Sequence, residues 1–143
     1  MNLFVWKREW ETGIQEIDDQ HRALLLQMDQ LFDAIHKGEE RTEVSNTLRH
    51  LAVYVDYHFR TEERLMAQTG YGALPAHKAC HDVLRETVTG VIRSQEEGSP
   101  SLLVDVVDYL QHWLFDHLDT LDREMAAHLR EALVAPTIEV AGA

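Results

Sequence analysis

Apolar residues return every three or four positions along almost the whole chain, and no clear alternation of period two replaces them, so the pattern predicts helices and no sheet. The first stripe, Leu24, Met28, Leu31 and Ile35, follows Asp18, a good N-capping residue, and stops at Lys37 and Gly38, where a glycine suits the residue after a helix. It predicts a helix over about 18–37. Leu48, Leu51 and Val55 predict a second over about 42–66, and the run TGYGALP at 69–75 is the most evident loop. Leu84, Val88 and Val91 mark a third helix over about 76–96, closed by EEGSP. A fourth, beginning at Ser101 and passing through Val107, Leu110, Leu114 and Leu121, extends over about 101–133. Residues 1–13, rich in Trp and Phe, read as an arm, and 135–143 as a frayed tail. Such short connections favour antiparallel neighbours. The expected fold class is therefore all-α, an up-down-up-down antiparallel four-helix bundle with an N-terminal arm, in a single domain over 1–143.

Composition narrows the partners. The formal net charge is −12, from 13 basic and 25 acidic residues, which repels phosphate backbones and anionic headgroups; neither a nucleic acid nor a membrane is an expected partner. No apolar run approaches the roughly 20 residues needed to cross a bilayer. The single cysteine, Cys80, has no partner for an internal disulfide, and the opening MNLFVWKREW lacks the apolar run of a signal peptide, so a cytoplasmic location is expected.

Nine histidines in 143 residues change the picture, because most of them interrupt core stripes. His21 falls among Ile14, Ile17, Leu24 and Met28; His58 and Glu62 continue Leu51 and Val55; His77 and His81 precede Leu84 and Val88; His117 continues Leu110 and Leu114. One histidine on such a stripe is ordinarily a hydrogen-bonded core residue. Five together are harder to treat that way, and four of them share a level. His21, His58, His81 and His117 each lie about 15 or 16 residues from the loops at one end of the bundle, roughly 24 Å at the rise of an α-helix. The pairs His58 with Glu62 and His77 with His81 have the four-residue spacing that puts both side chains on one face. Imidazole and carboxylate are ligands for iron, manganese or zinc, and a set this large exceeds one tetrahedral zinc and suits two metals.

The segments GIQEIDDQH at 13–21, HFRTEERLM at 58–66, HKACH at 77–81 and WLFDHLDTLD at 113–122 resemble the hemerythrins, most closely the bacterial single-domain type. Hemerythrin-type bundles are among the known up-down-up-down examples. The resemblance implies two non-haem iron ions with an oxo or hydroxo bridge: His77, His81 and His117 on one, His21 and His58 on the other, and Glu62 and Asp122 bridging both. It also implies an open position on the two-histidine iron, where dioxygen binds reversibly for storage, transport or delivery, with an unidentified protein partner as receiver. Phe59, Trp113, Leu114 and Leu118, each within a turn of a ligand, are candidates to line the oxygen pocket. A non-enzymatic role is favoured by the histidine-rich set, since ferritin-like oxidising centres are rich in carboxylates built on Glu-x-x-His pairs, and no such pair occurs here. The alternatives are a diiron enzyme acting on peroxide or nitric oxide, and an oxygen- or iron-sensing module.

Periodicity and resemblance disagree on one carboxylate. Five residues advance a helix by about 500°, which leaves Asp122 about 140° from His117, whereas Glu124 returns to nearly the same face. Choosing Asp122 requires long side-chain reach or a local widening toward π geometry between His117 and Asp122. The remaining polar residues read as bystanders: His36 complements the first helix dipole, His50 faces solvent, His112 pairs with Asp116 on the surface, and His128 lies too far along its helix. Cys80 reads as a small buried thiol, and Glu63 as pointing into solvent.

Overall fold

Two glycines close two of the helices by the same device. After the first helix, Gly38 (φ 66°) donates to the Ile35 carbonyl at 3.2 Å and Glu39 to that of Ala34 at 3.1 Å; after the second, Gly70 (φ 69°) donates to Ala67 at 3.3 Å and Tyr71 to Met66 at 2.9 Å. Both are Schellman closures, and the left-handed φ they need is available to glycine without steric cost. A computed structural model describes residues 5–98 and 103–134. Helices α1 (Gln15–His36), α2 (Arg41–Gln68), α3 (Leu74–Glu96), α4 (Leu103–Asp119) and α5 (Leu121–Leu129) follow a short 3₁₀ turn at Arg8–Trp10, and a π-helical turn, Arg130–Val134, ends the described chain. The chain runs up α1, down α2 and up α3, and α4 with α5 returns beside α1 as the fourth leg of the bundle. Among the described residues there is no strand, and no helix is long and apolar enough to cross a membrane. The expected start at Ser101 and the tail at 135–143 lie outside the described residues, as do residues 1–4 of the arm.

Two boundaries differ from expectation for identifiable reasons. Asp18 is not an N-cap: α1 begins at Gln15, and the buried Asp18 carboxylate accepts from the Thr12 amide (2.8 Å), the Thr12 hydroxyl (2.8 Å) and the Gly13 amide (3.2 Å). It therefore ties the arm to the helix. The arm is packed, with Trp10 only 2% exposed and its indole N–H donating to Asp119 at 2.7 Å. The fourth leg is broken, not continuous. At Thr120 the backbone takes φ −117°, ψ −83°, and its hydroxyl donates back to the Asp116 carbonyl at 2.7 Å.

The apolar stripes meet in two separate clusters. The larger, built on Leu24, Met28, Leu48, Leu51, Leu84 and Leu110, fills the bundle toward the α1/α2 turn. A smaller one, Ile17, Leu65, Met66, Met125 and Leu129, fills the opposite end. The polar layer lies between them.

Candidate metal centre

The level predicted from residue counting is a layer of buried side chains: His21, His58, Glu62, His77, His81, His117 and Asp122 are each at most 3% exposed. α1 supplies His21, α2 His58 and Glu62, α3 His77 and His81, α4 His117 and α5 Asp122. Their ligand atoms form two groups that could each hold a cation, Glu62 with His77, His81, His117 and Asp122, and His21 with His58 and Glu62.

Both carboxylates reach across the groups. One Glu62 oxygen lies 2.9 Å from His21 Nε2 and 2.8 Å from His58 Nε2, and the other 3.2 Å from His81 Nε2 and 3.4 Å from His77 Nε2. Asp122 Oδ1 is 3.0 Å from His117 Nε2 and 3.1 Å from His77 Nε2, while Oδ2 is 3.3 Å from His21 Nε2. Glu62 thus offers one oxygen to each group, and Asp122, a member of the larger, extends its other oxygen to His21 of the smaller. Asp122 is thus at the layer, and Glu124 is exposed on the outside. The break at Thr120 accomplishes this: α5 starts afresh after it, and the 140° offset of an unbroken helix does not apply. No π widening lies between His117 and Asp122; the π-helical turn comes later, at Arg130–Val134.

The hydrogen-bond network fixes which way the lone pairs point. Thr61 gives its hydroxyl to the Tyr57 carbonyl (3.1 Å), so it accepts from the Gln20 amide N–H at 3.2 Å, and the Gln20 oxygen is left to accept from His58 Nδ1 at 2.8 Å. His58 therefore carries its proton on Nδ1 and turns a lone pair inward. His81 donates Nδ1–H to Glu63 at 2.8 Å with the same result. His117 Nδ1 lies 3.5 Å from the Cys80 thiol. Three Nε2 atoms converge in the larger group, with His117 3.2 Å from both His81 and His77. Among the described residues, Glu62 Oε1 and Asp122 Oδ1, buried beside them, have no hydrogen-bond donor aligned with them. Acceptors that converge without donors are costly unless a cation joins them. The spacing suits one: ligand atoms about 2.1 Å from an ion lie about 3.0 Å apart at right angles and about 3.4 Å apart in a tetrahedron. The observed 2.8 to 3.4 Å is nearer to the first.

Without a cation, protons take its place. Burial pushes His21, His77 and His117 down, but the hydrogen bonds and charges of Asp122 and Glu62 outweigh it and raise them to about 9, about 9 and about 10. Burial raises Glu62 and Asp122, yet the imidazoles facing them win and hold both well below the carboxylate range. Burial dominates at His58 and keeps it below its ordinary value. The site is a cage of bases awaiting positive charge.

Of the expected pocket residues, Phe59 lies flat on His81 (3.8 Å, 4°) and Trp113 flat on His117 (4.5 Å, 12°), while Leu114 and Leu118 are buried in the larger cluster. Most bystanders stay outside. His50 is exposed, His36 bonds the Phe32 carbonyl (3.0 Å), and His128 meets the Thr69 hydroxyl (2.9 Å). His112 is on the surface but bonds the Asp108 carbonyl (2.8 Å), one turn before it, not Asp116 after it. Glu63 departs most from expectation: its side chain is only 15% exposed and holds His81 and Arg85. Gln20 was not legible as a supporting residue, and Cys80 is half-buried beside His117, not fully enclosed.

A family model described as the hemerythrin HHE cation binding domain matches residues 12–129. The chain is 31% identical to the bacteriohemerythrin of Methylococcus capsulatus over 86% of its own length and 94% of the relative's. It is 30% identical to that of Pseudomonas aeruginosa, over 93% and 86%. A crystal structure of wild-type hemerythrin superposes with a TM-score of 0.84 at 30% identity, covering 89% of this chain and 98% of that one.

Proposed function

The chain belongs to the hemerythrin family, and from that premise we propose that it binds dioxygen reversibly at a pair of non-haem irons held by His21, His58, Glu62, His77, His81, His117 and Asp122. The observation that carries this reading is the uneven division of one buried ligand layer. Three imidazoles, Glu62 and Asp122 form one group, whereas the other is His21, His58 and Glu62, which Asp122 reaches through its 3.3 Å contact with His21. The second position is a ligand short, which leaves room for a small guest.

A pair of irons held by these residues would supply the electrons for reversible uptake of dioxygen. The chain contributes the rest. Glu62 and Asp122 hold the two positions together, each with one oxygen per side. The apolar clusters above and below the layer keep water and protons away, and Phe59, Trp113, Leu114 and Leu118 form its wall toward α2 and α4. Among the described residues no further acid faces the layer on the ligand stripes, since Glu124 is outside it and Glu63 is engaged by His81 and Arg85. This favours binding over turnover. The bridging oxygen, a cytoplasmic location and a protein that receives the oxygen belong to the same proposal.

The test is anaerobic reduction of the iron-loaded protein, followed by exposure to oxygen and then its removal, monitored by visible absorbance. A band that appears with oxygen and disappears without it supports the reading. Steady consumption of added peroxide or nitric oxide with no reversible band would favour the enzyme.

A further inference from the structure

The ligand imidazoles face the layer with Nε2, so each Nδ1 is available to the protein outside, and the five are treated differently. His81 gives Nδ1–H to the Glu63 carboxylate at 2.8 Å, and His58 to the neutral Gln20 amide at 2.8 Å. His117 Nδ1 lies 3.5 Å from the Cys80 thiol, and those of His21 and His77 have no hydrogen-bond partner among the described residues. A carboxylate therefore supports one ligand in the three-histidine group, whereas among the described residues the one Nδ1 partner in the two-histidine group is the neutral Gln20 amide.

Glu63 is itself held. Arg85 forks onto its two oxygens at 2.9 and 3.2 Å, and the same guanidinium bonds Asp56 at 3.0 Å and Asp82 at 2.9 Å. It also lies over the Phe59 ring, 5.1 Å from its centre, and Phe59 lies flat on His81. The His81 ring is thus fixed at its edge by Glu63 and on its face by Phe59, and both supports meet at Arg85.

A carboxylate that accepts a ligand imidazole's N–H increases electron density at the metal-binding nitrogen, which favours the more highly charged ion. Limited solvent access keeps the effect from being screened away. The Arg85 fork offsets part of the Glu63 charge and sets how strongly it acts.

We propose that Glu63, clamped by Arg85, is a positioning residue that biases the His77, His81 and His117 position toward the more highly charged state of its metal. The two positions then differ in potential as well as in ligand number. This rests on the diiron reading above.

The experiment compares the wild type with Glu63→Gln and Arg85→Gln. Midpoint potentials are measured on the iron-loaded proteins by spectroelectrochemistry, and cobalt(II) affinity on the metal-free proteins by chelator competition. Loss of the charge in Glu63→Gln weakens cobalt binding about 10-fold. The same factor in ferric preference raises the potential by about 59 mV for one electron. Arg85→Gln leaves Glu63 with its full charge and moves the potential down. The opposite signs are the discriminating result, because simple loosening of the bundle would shift both variants the same way. Shifts of one sign, or none in either variant, overturn the proposal. If Glu63→Gln does not fold, Arg85→Gln still decides: a lower potential supports it, and an equal or higher one overturns it. A wild type that takes up fewer than two irons sinks the diiron reading, and this inference with it, before any variant is compared.

Discussion

Removing Asp122 tests the site at the point where helical periodicity gives the other answer. Its carboxylate contacts His117 and His77 with one oxygen and His21 with the other, so Asp122→Ala takes a ligand from both metal positions at once. Structural zinc sites with four ligands bind with about 10–16 kcal/mol, or roughly 3–4 kcal/mol per ligand, so each position should lose about 100-fold or more in affinity. The helix itself should survive, because the Thr120 hydroxyl bond to Asp116 and the Trp10 bond to Asp119 that accompany the break are untouched. Iron per chain, measured after anaerobic loading and gel filtration, should fall from about two to below one, while circular dichroism stays helical. Glu124→Ala is the control: Glu124 is exposed, and the variant should keep its iron. The reasoning fails if Asp122→Ala retains a full complement, or if Glu124→Ala loses as much.

Further outcomes follow from the same geometry. His58→Ala and His77→Ala each delete a buried ligand, one per group, and both should show sharply reduced iron by metal analysis; unchanged content in both would remove the diiron assignment. Stripping the metal should lower the melting temperature, since metal held at 100 times its dissociation constant adds about 2.7 kcal/mol to the folded state; equal melting of both forms would contradict this. The metal-free protein should also be sensitive to alkali. His21, His77 and His117 are raised from 6.5 to about 9, about 9 and about 10, so their contribution is complete below about pH 6.5 and is lost as pH rises through 9 to 10. Glu62 and Asp122, depressed below 4.5 and 3.8, contribute above those values and lose their contribution in acid. Melting curves at pH 6, 8 and 10 should therefore decline for the metal-free form and much less for the loaded one, where cations replace the protons; a flat metal-free series would count against the cage. Leu51→Ala, at a fully buried core position about two turns before His58, should cost about 2–5 kcal/mol in denaturant unfolding without changing iron content.

Helix periodicity is a local property, and whatever depends on it could be read from the chain. The stripes place Leu24, Leu51, Leu84 and Leu110 in the core, where they are found, and counting from the turns puts His21, His58, His81 and His117 at one level, where they form one layer. Gly38 closes α1 as its position in the pattern suggests. Asp122 lay beyond this logic and was reached through resemblance alone, because the count of 3.6 residues per turn holds only for an unbroken helix. The break at Thr120 accompanies a packed arm whose Trp10 reaches Asp119, a contact between distant parts of the chain that no run of neighbouring residues announces. Glu63 and Gln20 escaped for a related reason. Adjacency to Glu62 or His21 predicts an outward direction, but α3 brings Arg85 and His81 against Glu63, and α2 brings Thr61 and His58 against Gln20. A side chain's direction from its own helix is set by backbone geometry. Its partner is set by whichever helix packs there, and that becomes definite only once the bundle has closed.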